Sequence, residues 1–436
     1  MLTTNRPPLE PDQGPTQREQ AAEVVAVVVV VAVGLLLRVV TRSDLWLDEA
    51  LSTNIASLPL DQLTDALRRD GHPPLYYVLL HEWMELFGDS DLAGRSLSAV
   101  VSALTLPFVW IMARRRRSQA AAMWAVALCA VLPFNTRYAT EARMYALVMF
   151  LVVVGWWFLD TAVRSGAWRW AAGVGVMTSL LLYTHYWAMW LLAATGVVVL
   201  AIALRGPPSM RSGAWHSAVA MVVGAMAFLP WVPVLLDQLA HTGTPWGDPQ
   251  RPSMSIGLLL GDVVGGETIA EANVALILLG LAMLLGLTGI ARPPSSVELD
   301  LRTVPGVRVE AAVALSAMAL GTGLAWFTGA TFASRYGAIV VPLLVVIAGV
   351  GLVAVPDGWR RAAIGGLTVG LLALVAIAGA FDQRTQGGEV GAALAAEAQP
   401  GDVVLVCPDQ LGPALSRHVP DDIEVVTHPT LAGPEL

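Results

Sequence analysis

Apolar residues in this chain gather in runs much longer than one packed helix face requires. Ala21 to Val40 and Ala362 to Ala380 are almost unbroken, and a run of about 20 apolar residues matches the thickness of a bilayer's hydrocarbon core. Eleven spanning helices are predicted, at 22–41, 93–113, 118–135, 143–163, 170–184, 187–204, 215–236, 272–290, 310–330, 335–355 and 362–381. Residues 42–92 lie between the first two as one large loop. Inside it, Leu60 to Arg69 reads as a short amphipathic helix. Pro73 to Gly88 is apolar but short, and it holds His81, Glu82 and Glu85. It is predicted as an interfacial helix, with Glu82 and Glu85 on one face and Leu75, Leu79, Trp83 and Leu86 on an apolar side.

Composition agrees with this reading. Charged residues make up 14% of the chain, against about 25% in soluble proteins. The expected fold class is therefore an all-α polytopic membrane protein with about eleven transmembrane helices, a large first outer loop and a small C-terminal α/β segment. The expected organisation is a disordered cytoplasmic 1–21, a membrane domain 22–381, and an outer tail 382–436. The quartet Arg114 to Arg117 and the arginines at 164, 169, 205, 211, 360 and 361 fall in loops on one side, which the positive-inside rule assigns to the cytoplasm. All 26 basic residues are arginine. With the abundance of Ala, Val, Gly and Leu, this suggests a high-GC bacterial genome and so a bacterial plasma membrane. The tryptophans, among them Trp156, Trp187, Trp231 and Trp246, read as an interfacial belt.

Charge placement brings in chemistry. Asp48 and Glu49 follow the first span within a few residues, where carboxylates need a partner, a metal or a task. Either they cap the helix that follows or they react. Asp70 and His72 lie in a Gly-Pro-Pro turn. Glu141 and Arg143 stand at the mouth of one span, His185 and Tyr186 in a short turn, and Arg335 and Tyr336 at another span's mouth. Acids and arginines at one membrane face suit an anionic lipid headgroup and a hydroxyl acceptor. A carboxylate can take the acceptor's proton, and guanidiniums can hold phosphate oxygens. Asp48, Asp70 and His72 form a chemically reasonable divalent-cation set. No glycine-rich nucleotide loop is present, so a nucleotide-sugar donor is not expected, and neither is a nucleic-acid partner.

The ordered segments LWLDEA, DGHPPLYY, GRSLSA, EARMYAL and SRYGAIVVPLL resemble the superfamily of protein O-mannosyltransferases and aminoarabinose-lipid A transferases, which are GT-C glycosyltransferases, over residues 22–355. The resemblance implies a GT-C-type fold and a polyprenyl-phosphate sugar donor, with mannose as the expected sugar. It also implies inversion at the anomeric carbon and an extracytoplasmic hydroxyl acceptor on protein, lipid or glycan. By it Asp48 takes the catalytic acidic position and Glu49 the second of the pair, while Arg143 and Arg335 lie on the lipid-phosphate side. Asp70, His72, Glu141 and Tyr336 are expected in support. A divalent cation stays open, because some GT-C enzymes need one. The loop 238–271 is expected to act as a lid. The rivals are a lipid-linked-sugar transporter or flippase, which would place charges near the bilayer midplane, and a non-catalytic envelope scaffold presenting the tail.

Overall fold

A computed structural model describes residues 17–242, 247–266, 269–292, 296–303, 305–356, 358–420, 422–428 and 433. The chain begins with α1 (Gln17–Leu37), so the backbone is already helical within the stretch expected as disordered. Residues 1–16 of that stretch, and Trp246, lie outside the described residues. The first long loop, expected on the outer face, folds as α2 (Leu47–Ala56), α3 (Leu60–Asp70) and α4 (Leu75–Phe87). The membrane part continues through α5 (Asp91–Arg116), α6 (Gln119–Val131), α7 (Pro133–Ala139), α8 (Tyr145–Ser165), α9 (Trp168–Thr184), α10 (Ala188–Arg205) and α11 (Pro208–Met226). It closes with α12 (Val232–His241), α13 (Pro252–Val263), α14 (Glu271–Thr288), α15 (Arg308–Thr328), α16 (Val341–Leu352) and α17 (Trp359–Gly379). The tail holds α18 (Gly387–Glu397) and α19 (Gly412–Ser416).

This is a multi-pass membrane protein, but the count of eleven spans is not met by helix length. Among the described residues seven helices are long and apolar enough to cross a membrane, or eight if the bent pair α6–α7 is one span. That pair turns by 54° where Pro133 opens α7 at Leu132. Proline restricts the residue before it and interrupts the i to i−4 ladder. The segment expected at 335–355 is likewise divided. It starts as a 3-10 helix, Ser334–Ile339, and becomes α-helical only at Val341. The lid loop also differs from expectation, since its middle is the apolar helix α13. Its stretches 243–246 and 267–268 lie outside the described residues.

Helices α5, α6, α8 and α16 form the centre of one large core, which includes Leu128, Val131, Val148, Val153, Val346 and Ile347. Small residues let the backbones approach, as membrane helices require in the absence of a hydrophobic drive between them. A Cβ on Gly351 would sit 1.7 Å from the carbonyl oxygen of Ala282, so α14 and α16 touch backbone to backbone.

Among the described residues two short strand pairs complete the fold. β1 (Gly289–Arg292) and β2 (Ser296–Leu299) are antiparallel, with Ile290 opposite Glu298. In the tail, β3 (Val403–Val406) and β4 (Glu424–Thr427) are parallel, with Val404 opposite Val425.

Candidate active site

α2 carries the acidic pair in its first turn. Trp46 precedes it in extended backbone, and no side chain caps the helix N-terminus. Asp48 and Glu49 thus do not cap, though carboxylates in the first turn complement the helix dipole. Consecutive residues on a helix point about 100° apart, and the pair separates accordingly.

Glu49 turns into the protein and is fully buried. Arg95 on α5 donates to both of its oxygens, Nε to Oε1 at 2.7 Å and Nη2 to Oε2 at 2.6 Å. The Ala142 amide adds a third bond at 2.9 Å. Arg95 also donates to the carbonyls of Ser43 and Asp44. This bidentate pair fastens α2 to α5 and to the second outer loop.

Asp48 faces the other way. Its Oδ2 lies 3.7 Å from Nη2 of Arg143 and 3.5 Å from Nη2 of Arg335. That oxygen is buried and accepts no hydrogen bond, so it is drawn toward two cations without being bonded by either. Arg143 is anchored separately, with Nη1 donating to Ser52 Oγ at 3.0 Å and to the Asp48 carbonyl at 3.3 Å. Arg335 also lies over the Trp46 ring, 5.9 Å from its centre.

α3 ends at Gly71, whose φ of 82° permits the left-handed cap. The following prolines lead into α4, and this turn brings Asp70 and His72 to the site. His72 Nδ1 donates to Asp70 Oδ2 at 2.8 Å, and Tyr77 OH donates to the same oxygen at 2.6 Å. Arg143 Nη2 donates to His72 Nε2 at 3.2 Å. Arginine only donates, so Nε2 accepts and the proton sits on Nδ1. Burial works against the Asp70 charge, but His72, Arg143 and Tyr77 outweigh it and hold the carboxyl down at about 2.

His185, Tyr145 and Tyr336 form an aromatic wall beside the arginines. The His185 ring is 5.7 Å from Tyr145 and 5.4 Å from Tyr336, and Trp187 stacks on Tyr336. Burial, then the positive charge of Arg143 and Arg335, pushes His185 well below the usual histidine range. The buried Tyr145 hydroxyl has no hydrogen-bond partner. Glu141 lies on the far side of Arg143's loop. It is paired with Arg137 at 3.0 Å and with Arg384 of the tail at 3.8 Å.

The metal set does not fit. Asp70 Oδ2 and both ring nitrogens of His72 are already bonded, and Asp48 faces guanidiniums. Among the described residues no group of three His, Cys, Asp or Glu side chains is arranged to hold an ion. The structure therefore brings Asp48, Arg143, Arg335, Asp70, His72 and Tyr336 together, with Glu49 and Glu141 behind them. Arg95, Tyr77, Tyr145 and Arg384 complete the arrangement without being singled out by the sequence. Arg95 lies in the segment GRSLSA, and its placement within an apolar span was the signal that it needs an acidic partner.

The helical membrane scaffold that carries this acid–arginine site is similar in fold to solved membrane transferases, and one family model matches part of the chain. Residues 71–235 match the family model described as dolichyl-phosphate-mannose-protein mannosyltransferase. ArnT of Cupriavidus metallidurans, solved bound to undecaprenyl phosphate, is similar in structure with a TM-score of 0.57 at 14% identity, over 95% of this chain and 87% of that one. The arabinofuranosyltransferase AftD from Mycobacteria gives 0.55 at 15% identity, over 95% of this chain and 32% of that one. The oligosaccharyltransferase of Archaeoglobus fulgidus, solved with Zn and sulfate, gives 0.51 at 12%, over 94% and 63%. No curated protein sequence matches the chain at a significant level.

Proposed function

We propose that the protein is an inverting glycosyltransferase that moves a sugar from a polyprenyl-phosphate carrier to a hydroxyl acceptor outside the cytoplasm. The observation that carries this reading is the Asp48 carboxylate, whose buried Oδ2 lies between two guanidiniums and accepts no hydrogen bond. The donor phosphate sits on Arg143 and Arg335, beside the carboxylate that takes the acceptor's proton. In the transfer step the acceptor oxygen forms a bond to the anomeric carbon. The bond from that carbon to the phosphate oxygen breaks, and its electron pair leaves with the polyprenyl phosphate. The acceptor proton passes to Asp48, and the arginines stabilise the charge on the departing phosphate. His72, fixed by Asp70 and neutral at Nε2, orients Arg143.

Mannose is the sugar we infer, since it is named in the family model's description. The undecaprenyl phosphate bound to the similar ArnT structure supports a polyprenyl-phosphate carrier. A bacterial plasma membrane with the site on its outer face accords with the arginine-rich inner loops.

Arg335→Lys keeps the charge and loses the planar fork. It should weaken binding of undecaprenyl phosphate by about tenfold or more, as the loss of a charge-assisted bond implies. Arg251→Lys, at the start of α13, should leave binding unchanged. Equal affinities for Arg335→Lys and wild type, measured by calorimetry in detergent, would make Arg335 an interfacial anchor only.

A further inference from the structure

The tail beyond the last span has no part in the chemistry above, yet it reaches the site's supports at three places. Arg384 lies just after α17, and its side chain is 5% exposed. Its Nη1 donates to the Thr140 carbonyl at 3.1 Å, and its Nη2 donates to Thr140 Oγ1 at 2.8 Å. Nη1 also lies 3.8 Å from Glu141 Oε1. The Arg384 amide donates to Ser43 Oγ at 2.8 Å. Ser43 and Thr140 belong to different outer loops, so one residue ties the loop that carries Asp48 to the loop that carries Arg143. The same Ser43 offers its carbonyl to Arg95, which holds Glu49.

Two further contacts press on α2 from the tail. Ala414 of α19 packs with Leu45 and Ala50 in a small buried cluster. Arg417 pairs with Asp91 at 2.8 Å, at the start of α5, and reaches Asn54 Oδ1. Gly388 also lies against the Asp44 side chain, where a Cβ would fall 2.2 Å from a carboxylate oxygen.

From these contacts we infer that residues 384–417 form a clamp in which Arg384 is a positioning residue, holding Asp48 and Arg143 in register across the two outer loops. Arg384 touches neither and acts through Ser43, Thr140 and Glu141. Glu141 lies among Arg137, Arg384, Glu49 and Asp48, with burial raising its proton affinity above the usual carboxylate range and the two arginines opposing that rise. Arg384 therefore supplies both a fixed geometry and half of Glu141's counter-charge. Arg143 moves with the clamp, whereas no described contact joins residues 384–417 to Arg335, so one of the two arginines assigned to the donor phosphate keeps its place.

The inference rests on the glycosyltransferase reading for its effect on turnover, but its structural part can be measured without turnover. Arg384→Gln and Arg384→Lys are compared with wild type in the full-length protein by hydrogen exchange, by undecaprenyl phosphate affinity and by sugar transfer. For Arg384→Gln, exchange should accelerate in both 43–50 and 140–144. Affinity should fall by no more than about threefold, because Arg335 keeps its place, while kcat falls by about 10- to 100-fold, the scale of a small misplacement of reacting groups. Arg384→Lys should lie between, because it restores the charge but not the two-pronged contact with Thr140. Unchanged exchange and kcat in Arg384→Gln would overturn the clamp, and so would affinity and kcat falling by the same factor. If wild type transfers no sugar from any polyprenyl-phosphate donor while the exchange result holds, the clamp stands and the assigned activity falls.

Discussion

Burying the Glu49–Arg95 pair carries a desolvation cost that only complete pairing offsets. The pairing here is complete: both Glu49 oxygens accept from Arg95, and the Ala142 amide adds to one of them. Breaking it from one side leaves an uncompensated buried charge. Arg95→Met should therefore lower stability by about 3–5 kcal/mol, whereas the double variant Glu49→Leu with Arg95→Met should recover a good part of that loss. Thermal unfolding in detergent reads both, and equal stability of Arg95→Met and wild type would refute the argument.

Asp70 makes a second prediction at this scale. Its carboxyl lies at about 2, below the ordinary 3.8. A depressed carboxyl contributes stability that is present above the unfolded value and is lost as pH falls through the folded one. The difference is worth about 2 kcal/mol, so melting temperature should drop between pH 4 and pH 2 in wild type. The drop should be smaller in Asp70→Asn, and parallel curves for the two proteins would remove Asp70 from that window.

At the scale of elements, apolar run length located the helices, but proline and turn chemistry decided how they are divided. The 118–135 segment looks continuous by hydropathy, yet Pro133 bends it. The short helix expected between Pro73 and Gly88 is present as α4, and its buried stripe is Tyr76, Tyr77, Leu80 and Met84. Leu79 and Leu86, on the expected apolar side, stay exposed with Phe87. Apolar periodicity cannot say which of two apolar stripes meets protein and which meets lipid. Short-range motifs made Asp48, Asp70, His72, Arg143 and Arg335 legible, since each sits beside a turn or span end. Arg384 was not legible, because its partners Ser43 and Thr140 are distant in sequence and its own surroundings carry no motif. Orientation also belongs to this scale. Cys407 in the tail is exposed and Cys129 is buried. An impermeant maleimide added to intact cells should label wild type through Cys407. It should leave Cys407→Ser with Ser296→Cys unlabelled, as Ser296 lies in the β1–β2 hairpin, which the arginine-based orientation puts on the inner side. The reverse pattern would invert the topology and move the site to the cytoplasm.

Across the whole molecule, charge is organised at both ends of the bundle. At the end away from the site Arg116 bonds Asp160 and Glu310, and Arg115 bonds Asp160 and Thr161, joining α5, α8 and α15. The arginines expected to orient the chain thus also lock its helices. At the end that carries the site the acids and arginines are held apart by position, with Glu49 and Glu141 paired in support and Asp48 left without a hydrogen bond between two cations. That division is the centre of the account, and one measurement tests it most directly. Membranes carrying wild type or Asp48→Asn are supplied with a radiolabelled polyprenyl-phosphate mannose. Sugar transfer and undecaprenyl phosphate affinity are then measured in parallel. Asp48→Asn keeps the size of the side chain but cannot take the proton, so transfer should fall by about 10²-fold or more while affinity stays within a few-fold of wild type. Transfer at a near-normal rate in Asp48→Asn would contradict the assignment of Asp48 as the base.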